Sequence, residues 1–306
     1  MLDRRDLLLG TAGLSLEAAM FRPTGITEAP ATLRGQLAKA QSDFRAGKHT
    51  SLGKRLPGLV DRVVSGDDKR LTADVWALAT EYLIKTDQDD YALLAADRAA
   101  AAATESGDRL AVAEAAYCRC MSLRHSGRSG TGKPATSRSR TAYTITVDAA
   151  TKLADEGLRT ANDFATYGHL FLTASYSASV AGDAARAEDY MREAETVAAR
   201  HFDTDIAHGL WFFGPAQARL YRLSMEYALG NVGGGINTAR ALNPGRLPTP
   251  ERRARYWIDL ARVYDQWTGH RSEVATALRH AHTEAPGEVT SRPAILALAN
   301  DAGLKT

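Results

Sequence analysis

The stretch Phe171–Ala194, FLTASYSASVAGDAARAEDYMREA, decides the fold. Apolar and small residues recur three and four apart on both sides of Gly182-Asp183, and that pair interrupts the period. The spacing predicts two short helices hinged there. Phe171 is followed by the small residues Ala174 and Ser175, and beyond the turn Ala187 and Ala194 stand seven apart. Small residues at these places let two antiparallel helix backbones approach closely, while the large one fills the gap beside them. Such a hairpin cannot bury its apolar face alone and calls for stacked neighbours.

Those neighbours are present on both sides. Trp76, Ala79 and Thr80, a turn at Asp87–Asp89, then Ala92 and Ala99 repeat the same order of sizes. An earlier pair spans 33–46 and 52–64 about Gly47-Lys48, with Pro57 expected at a kink or a first turn. A third pair runs from Leu110 through Tyr117 to Leu123 and resumes over Ala142–Ala154 after a basic Ser/Gly-rich insertion at 126–140. Beyond the opening stretch come 215–229 and 232–241 about Gly230-Asn231, then 251–267 and 273–282 about Gly269. Turns near 47, 88, 127, 182, 230 and 269 step by roughly 40 residues, within the range of stacked-helix arrays.

The aromatic, the small pair, the turn glycine, the two alanines seven apart and the closing Pro286 resemble the tetratricopeptide repeat (TPR). The resemblance implies an all-α, right-handed superhelix of about six TPR-like antiparallel helix pairs over residues 31–306, with 293–302 as a C-terminal capping helix. Residues 1–30 are expected to be a lead-in helix and linker that pack no domain.

Composition narrows the function classes. The 38 Lys and Arg nearly cancel the 36 Asp and Glu in this 306-residue chain, so no global field argues for nucleic acid or an acidic membrane. Abundant alanine with only 7 Phe favours helix packing. Cys118 and Cys120, two apart on a helix, point to different faces and form no disulfide, which fits a reducing, cytoplasmic setting. Arg4-Arg5 ahead of the apolar run Leu7–Leu16 has a twin-arginine export reading, against which Glu17 interrupts the run and no small-x-small cleavage site follows. No apolar stretch reaches the roughly 18 residues that span a bilayer.

Phe213-Gly214-Pro215, the run Leu247-Pro248-Thr249-Pro250-Glu251-Arg252-Arg253-Ala254-Arg255 and Ser291-Arg292-Pro293 resemble the C-terminal part of regulators from high-GC bacteria. In that family a phage-repressor-like helix-turn-helix domain precedes a TPR array, and Asp3-Arg4-Arg5-Asp6-Leu7 resembles the hinge after the DNA-binding domain. The resemblance implies the effector-sensing or protein-interaction region of a transcriptional regulator. A DNA-binding domain needs about 55 to 65 residues ahead of that hinge. Two residues precede Asp3, so this chain is expected to touch no nucleic acid itself. It is read as the sensing half of a regulator or as a stand-alone scaffold. Ala216, Gln217 and Tyr221 stand where the family has a Thr-Asn pair and a later His, so the family's ligand is not carried over.

Other motifs fail on chemistry. Gly127–Pro134 approaches a phosphate-binding loop, but Pro134 has neither hydroxyl nor amide hydrogen and the segment before it is helical. With Arg124, Lys133, Arg138 and Arg140 that insertion is expected to be a solvated linker. His201–Asp205 with His208 fits neither a helical zinc pair nor a calcium loop and is expected to be a polar connection. His280 and His282 diverge on their helix, and no Gly-x-Ser-x-Gly elbow exists. The expectation is therefore a binding protein without catalysis, cofactor or metal.

The functional surface of a helical array is its concave face, lined by the first helix of each pair. Counting turns back from each hinge places Glu81, Glu114, Tyr117, Arg124, His169, Tyr176, Gln217, Ser224, Tyr256, Asp259 and Gln266 there. Aromatic bodies with polar tips suit an extended peptide. The expected partner is a peptide, a protein or a small effector that bridges several repeats and changes the superhelix curvature. Open solenoid ends would carry apolar area able to form a homodimer.

Overall fold

The computed structural model describes residues 16, 18–21, 28–126 and 136–304. The motif at Asp3–Leu7, the Arg4-Arg5 pair and the Gly127–Pro134 stretch lie outside them. The described chain is all-α with one small hairpin. Its helices are α1 (Pro30–Arg45), α2 (His49–Val64), α3 (Lys69–Lys85), α4 (Asp89–Ser106), α5 (Arg109–His125), α6 (Thr136–Asp155), α7 (Ala161–Val180) and α8 (Ala184–His201). After the hairpin come α9 (Pro215–Ala228), α10 (Val232–Ala241), α11 (Pro250–Asp265), α12 (Arg271–Glu284), α13 (Pro286–Thr290) and α14 (Pro293–Asp301). None of the described helices is long and apolar enough to cross a membrane.

Four of the hinges share one hydrogen-bond pattern. At Gly182 the chain turns left-handed (φ +77°), the Asp183 amide donates to Ala178 O at 2.9 Å, and the Asp183 side chain caps α8 by accepting from the Arg186 amide. Lys48 to Asp43, Gln88 to Leu83 and Asn231 to Glu226 repeat the same six-to-one bond, each at 2.9 Å. This is a Schellman turn, which satisfies the last carbonyls of one helix and re-aims the chain antiparallel for the next. Proline stands at the first helical position of α1, α9, α11, α13 and α14, where its missing amide hydrogen costs nothing. Pro57 sits inside α2. Two boundaries differ from the sequence reading: α6 is already helical from Thr136, which shortens the insertion, and α13 is an extra short helix at the predicted closing proline.

Consecutive helices pack against each other along the chain, and the small residues do what their spacing asks. Ala92, Ala99, Ala187 and Ala194 are buried, and the Ser175 hydroxyl reaches Ala187 O at 2.8 Å between α7 and α8. Trp76 fills the core of its pair. The lead-in also packs, contrary to expectation: Leu16, Ala19 and Met20 join the core of α1–α5, and Arg98 donates to Met20 O at 2.6 Å while lying over the Trp76 ring.

The odd-numbered helices touch in succession: α1 on α3, α3 on α5, α5 on α7, α7 on α9, α9 on α11, and α11 again on α1. The array closes on itself. The open ends expected for a solenoid are therefore joined.

Between α8 and α9 lies the second departure. The expected polar connection is a two-stranded antiparallel hairpin, β1 (Ile206–His208) and β2 (Trp211–Phe213), with Ile206 opposite Phe213 and His208 opposite Trp211. It rests on α7 and α9. The Phe213 ring lies so close to Gly168 that a Cβ there would sit 2.0 Å from Cζ, which only glycine permits. At its tip Arg45 of α1 donates to Gly209 O and lies over the Phe212 ring, tying the hairpin to the first helix. Asp205 Oδ1 accepts from the Ala216 amide at 2.9 Å, so the Phe213-Gly214-Pro215 motif joins the hairpin to α9.

Candidate functional site

Closure of the odd helices leaves between them a cavity of about 60 Å³ that opens to solvent. Glu81 and Lys85 come from α3, Tyr117, Met121 and Arg124 from α5, Tyr176 from α7 and Tyr221 from α9. Arg252, Arg255 and Arg262 come from α11, while Arg292, Pro293, Ala294 and Ile295 come from the start of α14. Pro293, Ala294 and the turn residue Asp87 are exposed and mark where the cavity meets solvent.

Cations dominate the lining: six cationic side chains face two carboxylates, Glu81 and Asp87. Most cations are held from behind by acids outside the cavity. Asp259 accepts from Arg255 Nε at 2.7 Å, pairs with Arg262 at 3.4 Å and accepts from the Ser224 hydroxyl. Burial opposes its charge, but these partners hold its carboxyl below the usual range. Arg252 pairs with Glu251, and Arg292 with Glu288 at 3.4 Å. Arg124 differs. Among the described residues it has no carboxylate partner; its Nη1 donates to Ser177 Oγ at 2.8 Å, its Nη2 contacts Met121 Sδ, and its Nε is buried with no hydrogen bond.

The field in the cavity shows on its neighbours. Tyr176 lies between two guanidinium groups, Arg124 at 4.6 Å and Arg255 at 5.9 Å from the ring centroid. Burial pushes its phenol up, yet Arg255, Arg262 and Arg124 together bring it below the ordinary tyrosine value. Arg292 is lowered to about 10, by burial first and also by Arg262 and Arg255, against the pull of Glu288.

Beside the cavity an ionic clasp closes the array. Lys85 Nζ, at the end of α3, donates to Glu251 Oε1 of α11 at 2.6 Å and to both oxygens of Glu288 of α13 at 2.7 and 2.8 Å. His49 Nε2 of α2 lies 2.9 Å from Glu288 Oε1. All four side chains are buried. Burial raises both carboxyls, but Arg252 and Lys85 hold Glu251 at about 2, and Lys85 and His49 hold Glu288 well below the usual range.

A smaller cavity of about 10 Å³ lies under the hairpin, lined by Glu114, Tyr117, Thr166, His169, His208 and Trp211 among others. His169 stacks on Trp211 at 5.6 Å and lies 4.9 Å from the Tyr117 ring. Burial, with Arg252 and His208 nearby, lowers its imidazole to about 3, so it is neutral at ordinary pH. His208 Nε2 stands 2.5 Å from Glu114 Oε1, and Arg70 Nη2 donates to Glu114 Oε2 at 2.8 Å.

The residues assigned to the concave face divide accordingly. Glu81, Tyr117, Arg124 and Tyr176 meet in the large cavity. Glu114 and His169 line the small one with Tyr117. Ser224 and Asp259 stand behind Arg255 and position it. Gln217 is buried, with no hydrogen bond to its side-chain amide. Two fall elsewhere. Tyr256 points into the core between α10 and α11, donating to Ala239 O at 3.1 Å, and Gln266 is exposed and donates to Tyr227 O at 3.0 Å.

The sequence reading missed Lys85, Tyr221, Arg252, Arg255, Arg262 and Arg292. A signal existed: Arg252, Arg255, Asp259 and Arg262 follow the helical period along one face of α11, which carries the buried Asp259. Arg124, read also as part of the solvated insertion, turns inward instead, while Arg138 and Arg140 are exposed on α6.

No protein-family model matches the chain, and no curated protein is significantly similar to it.

Proposed function

We propose that this chain is a non-catalytic, TPR-like sensing array of about six helix pairs, the regulatory part of a transcriptional regulator, which holds a small effector in its central cavity. One observation carries the reading: side chains from α3, α5, α7, α9 and α11 converge on a single cavity. Closure of α11 on α1 favours a compact effector over the extended peptide that an open groove would hold. Binding rather than turnover is supported by the two thiols: burial pushes Cys118 and Cys120 up, keeping both in the unreactive thiol form. The assignment to a helix-turn-helix regulator rests on the resemblance carried by Phe213–Pro215, Leu247–Arg255 and Ser291–Pro293.

A thermal-shift screen of small metabolites and short peptides, followed by mass spectrometry of each hit, tests the reading. A ligand at about 100 times its Kd stabilises by about 2.7 kcal/mol, a rise on the order of 5 °C in a chain of this size. A compound that gives such a rise, is recovered chemically unchanged and loses its effect in Tyr176→Leu supports an effector site. Conversion of the hit to product, or no shift from any compound, overturns it.

A further inference from the structure

We infer that the arginine-lined cavity binds a phosphorylated small molecule of the nucleotide type, carrying two or more phosphate charges and a ring with an N–H or O–H donor. This rests on the effector reading above and names the chemistry of the effector.

Charge comes first. Arg124 is 4% exposed, has no carboxylate partner among the described residues and keeps its Nε unbonded inside the cavity wall. A buried guanidinium in that state costs free energy unless an anion meets it. Arg252, Arg255, Arg262 and Arg292 also line the space, and their acids leave part of each five-donor fork free to donate to a further anionic oxygen. At the mouth, α14 begins with Pro293, Ala294 and Ile295, and no side chain caps its first turn. A helix start brings partial positive charge to the same point, although Pro293 has no amide hydrogen and Ile295 donates to Arg292 O at 3.0 Å. The lowered Tyr176 phenol and Arg292 guanidinium, described above, report the same surplus.

Shape selects among anions. The guanidinium groups approach from α5, from α11 and from the start of α14. A single planar carboxylate is satisfied by one bidentate arginine, whereas tetrahedral phosphates present oxygens in several directions and accept from several forks at once. The remaining lining is not built for a bare polyanion. Tyr117, Tyr176, Tyr221 and Met121 offer flat and adaptable apolar surface for a ring. Glu81 is buried with its Oε1 lacking a hydrogen bond, an acceptor awaiting a donor on the ligand. Phosphates at the arginines and a donor-bearing ring among the tyrosines complete both groups of unsatisfied atoms.

Isothermal titration of the full chain at about 0.1 M salt, where exposed charges beyond about 10 Å are screened, tests the assignment. The probes are ADP, GDP, inorganic pyrophosphate, citrate and adenosine. The nucleoside diphosphates are expected to bind with a Kd below about 0.1 mM, pyrophosphate more weakly, and citrate and adenosine not measurably. Arg124→Gln, which strands no buried acid, is expected to weaken ADP or GDP at least about tenfold. Glu81→Gln should weaken the nucleotides but leave pyrophosphate unchanged. Should Arg124→Gln fold poorly by circular dichroism, Arg292→Gln serves in its place, since Glu288 keeps Lys85 and His49. Citrate binding as tightly as the diphosphates, binding undiminished in the arginine variants, or no binding by any phosphate probe overturns the assignment. In the last case, a hit of another class in the effector screen leaves the effector reading standing; a screen without hits removes both.

Discussion

Lys85 Nζ lies 2.6 Å from Glu251 Oε1, a buried contact between residues 166 apart in sequence that fastens α3 to α11. Together with the Glu288 bonds it places one ammonium between two carboxylates where water is excluded.

Removing that ammonium takes from both acids their shared partner and leaves Glu251 to Arg252, and Glu288 to His49 and Arg292. Lys85→Met is expected to cost about 3–5 kcal/mol, the range for breaking a buried ion pair from one side. Urea titration monitored by circular dichroism measures it. The double variant Lys85→Met with Glu251→Gln should recover part of the loss, because it lowers by one the excess of buried negative charge left beside Glu288.

Acid should destabilise the fold in two stages. His169 titrates at about 3 in the folded chain against 6.5 when free, so the unfolded state takes up the proton first. Stability present above pH 6.5 is thus lost progressively as pH falls toward 3, by at most about 1.4 kcal/mol per pH unit. Glu251, held at about 2 against 4.5, adds a second loss below pH 4.5. Both slopes have the same sign. Chemical denaturation across pH 4 to 8 should show His169→Phe flattening the decline above pH 4.5 while leaving the steeper one below it.

Gly168→Ala should lift the hairpin. The new Cβ would stand 2.0 Å from Phe213 Cζ, and the ring cannot withdraw without moving β2 away from α7. A cost of about 1–3 kcal/mol is expected, as for other overpacked contacts. Faster proteolytic cleavage within 206–213 and altered Trp211 fluorescence would register it; an unchanged digestion pattern would count against this account of the contact.

Tyr256→Phe separates packing from binding. It removes the hydrogen bond to Ala239 O and should cost about 1 kcal/mol. Effector affinity measured by titration should stay within about twofold, since its ring faces the α10–α11 core; a larger loss would place Tyr256 in the binding surface after all.

Much of the helix order could be read because its punctuation is stereochemical. Gly182 and Gly230 mark left-handed turns, and Pro215, Pro250 and Pro293 mark first turns, requirements that few other residues meet. Side-chain direction was harder. Tyr256 follows Arg255 by one residue, about 100° around the helix, enough to move it from the cavity into the core. Arginines on a helix face usually signal solvent, and only the return of α11 to α1 turns that face inward, a contact no local pattern encodes. The hairpin escaped notice because strands of three residues, Ile206–His208 and Trp211–Phe213, are too short to show alternation.

The meeting of α11 with α1 also limits how such a molecule can change shape. In an open stack each small rotation between neighbours is free to accumulate toward the far end, so the whole behaves as a spring. Here the rotations must sum to a full circuit. Widening at one junction has to be matched by narrowing at another, or the clasp at Lys85 has to part. A change of curvature is therefore confined to paired shifts within the closed circuit or to parting of the clasp.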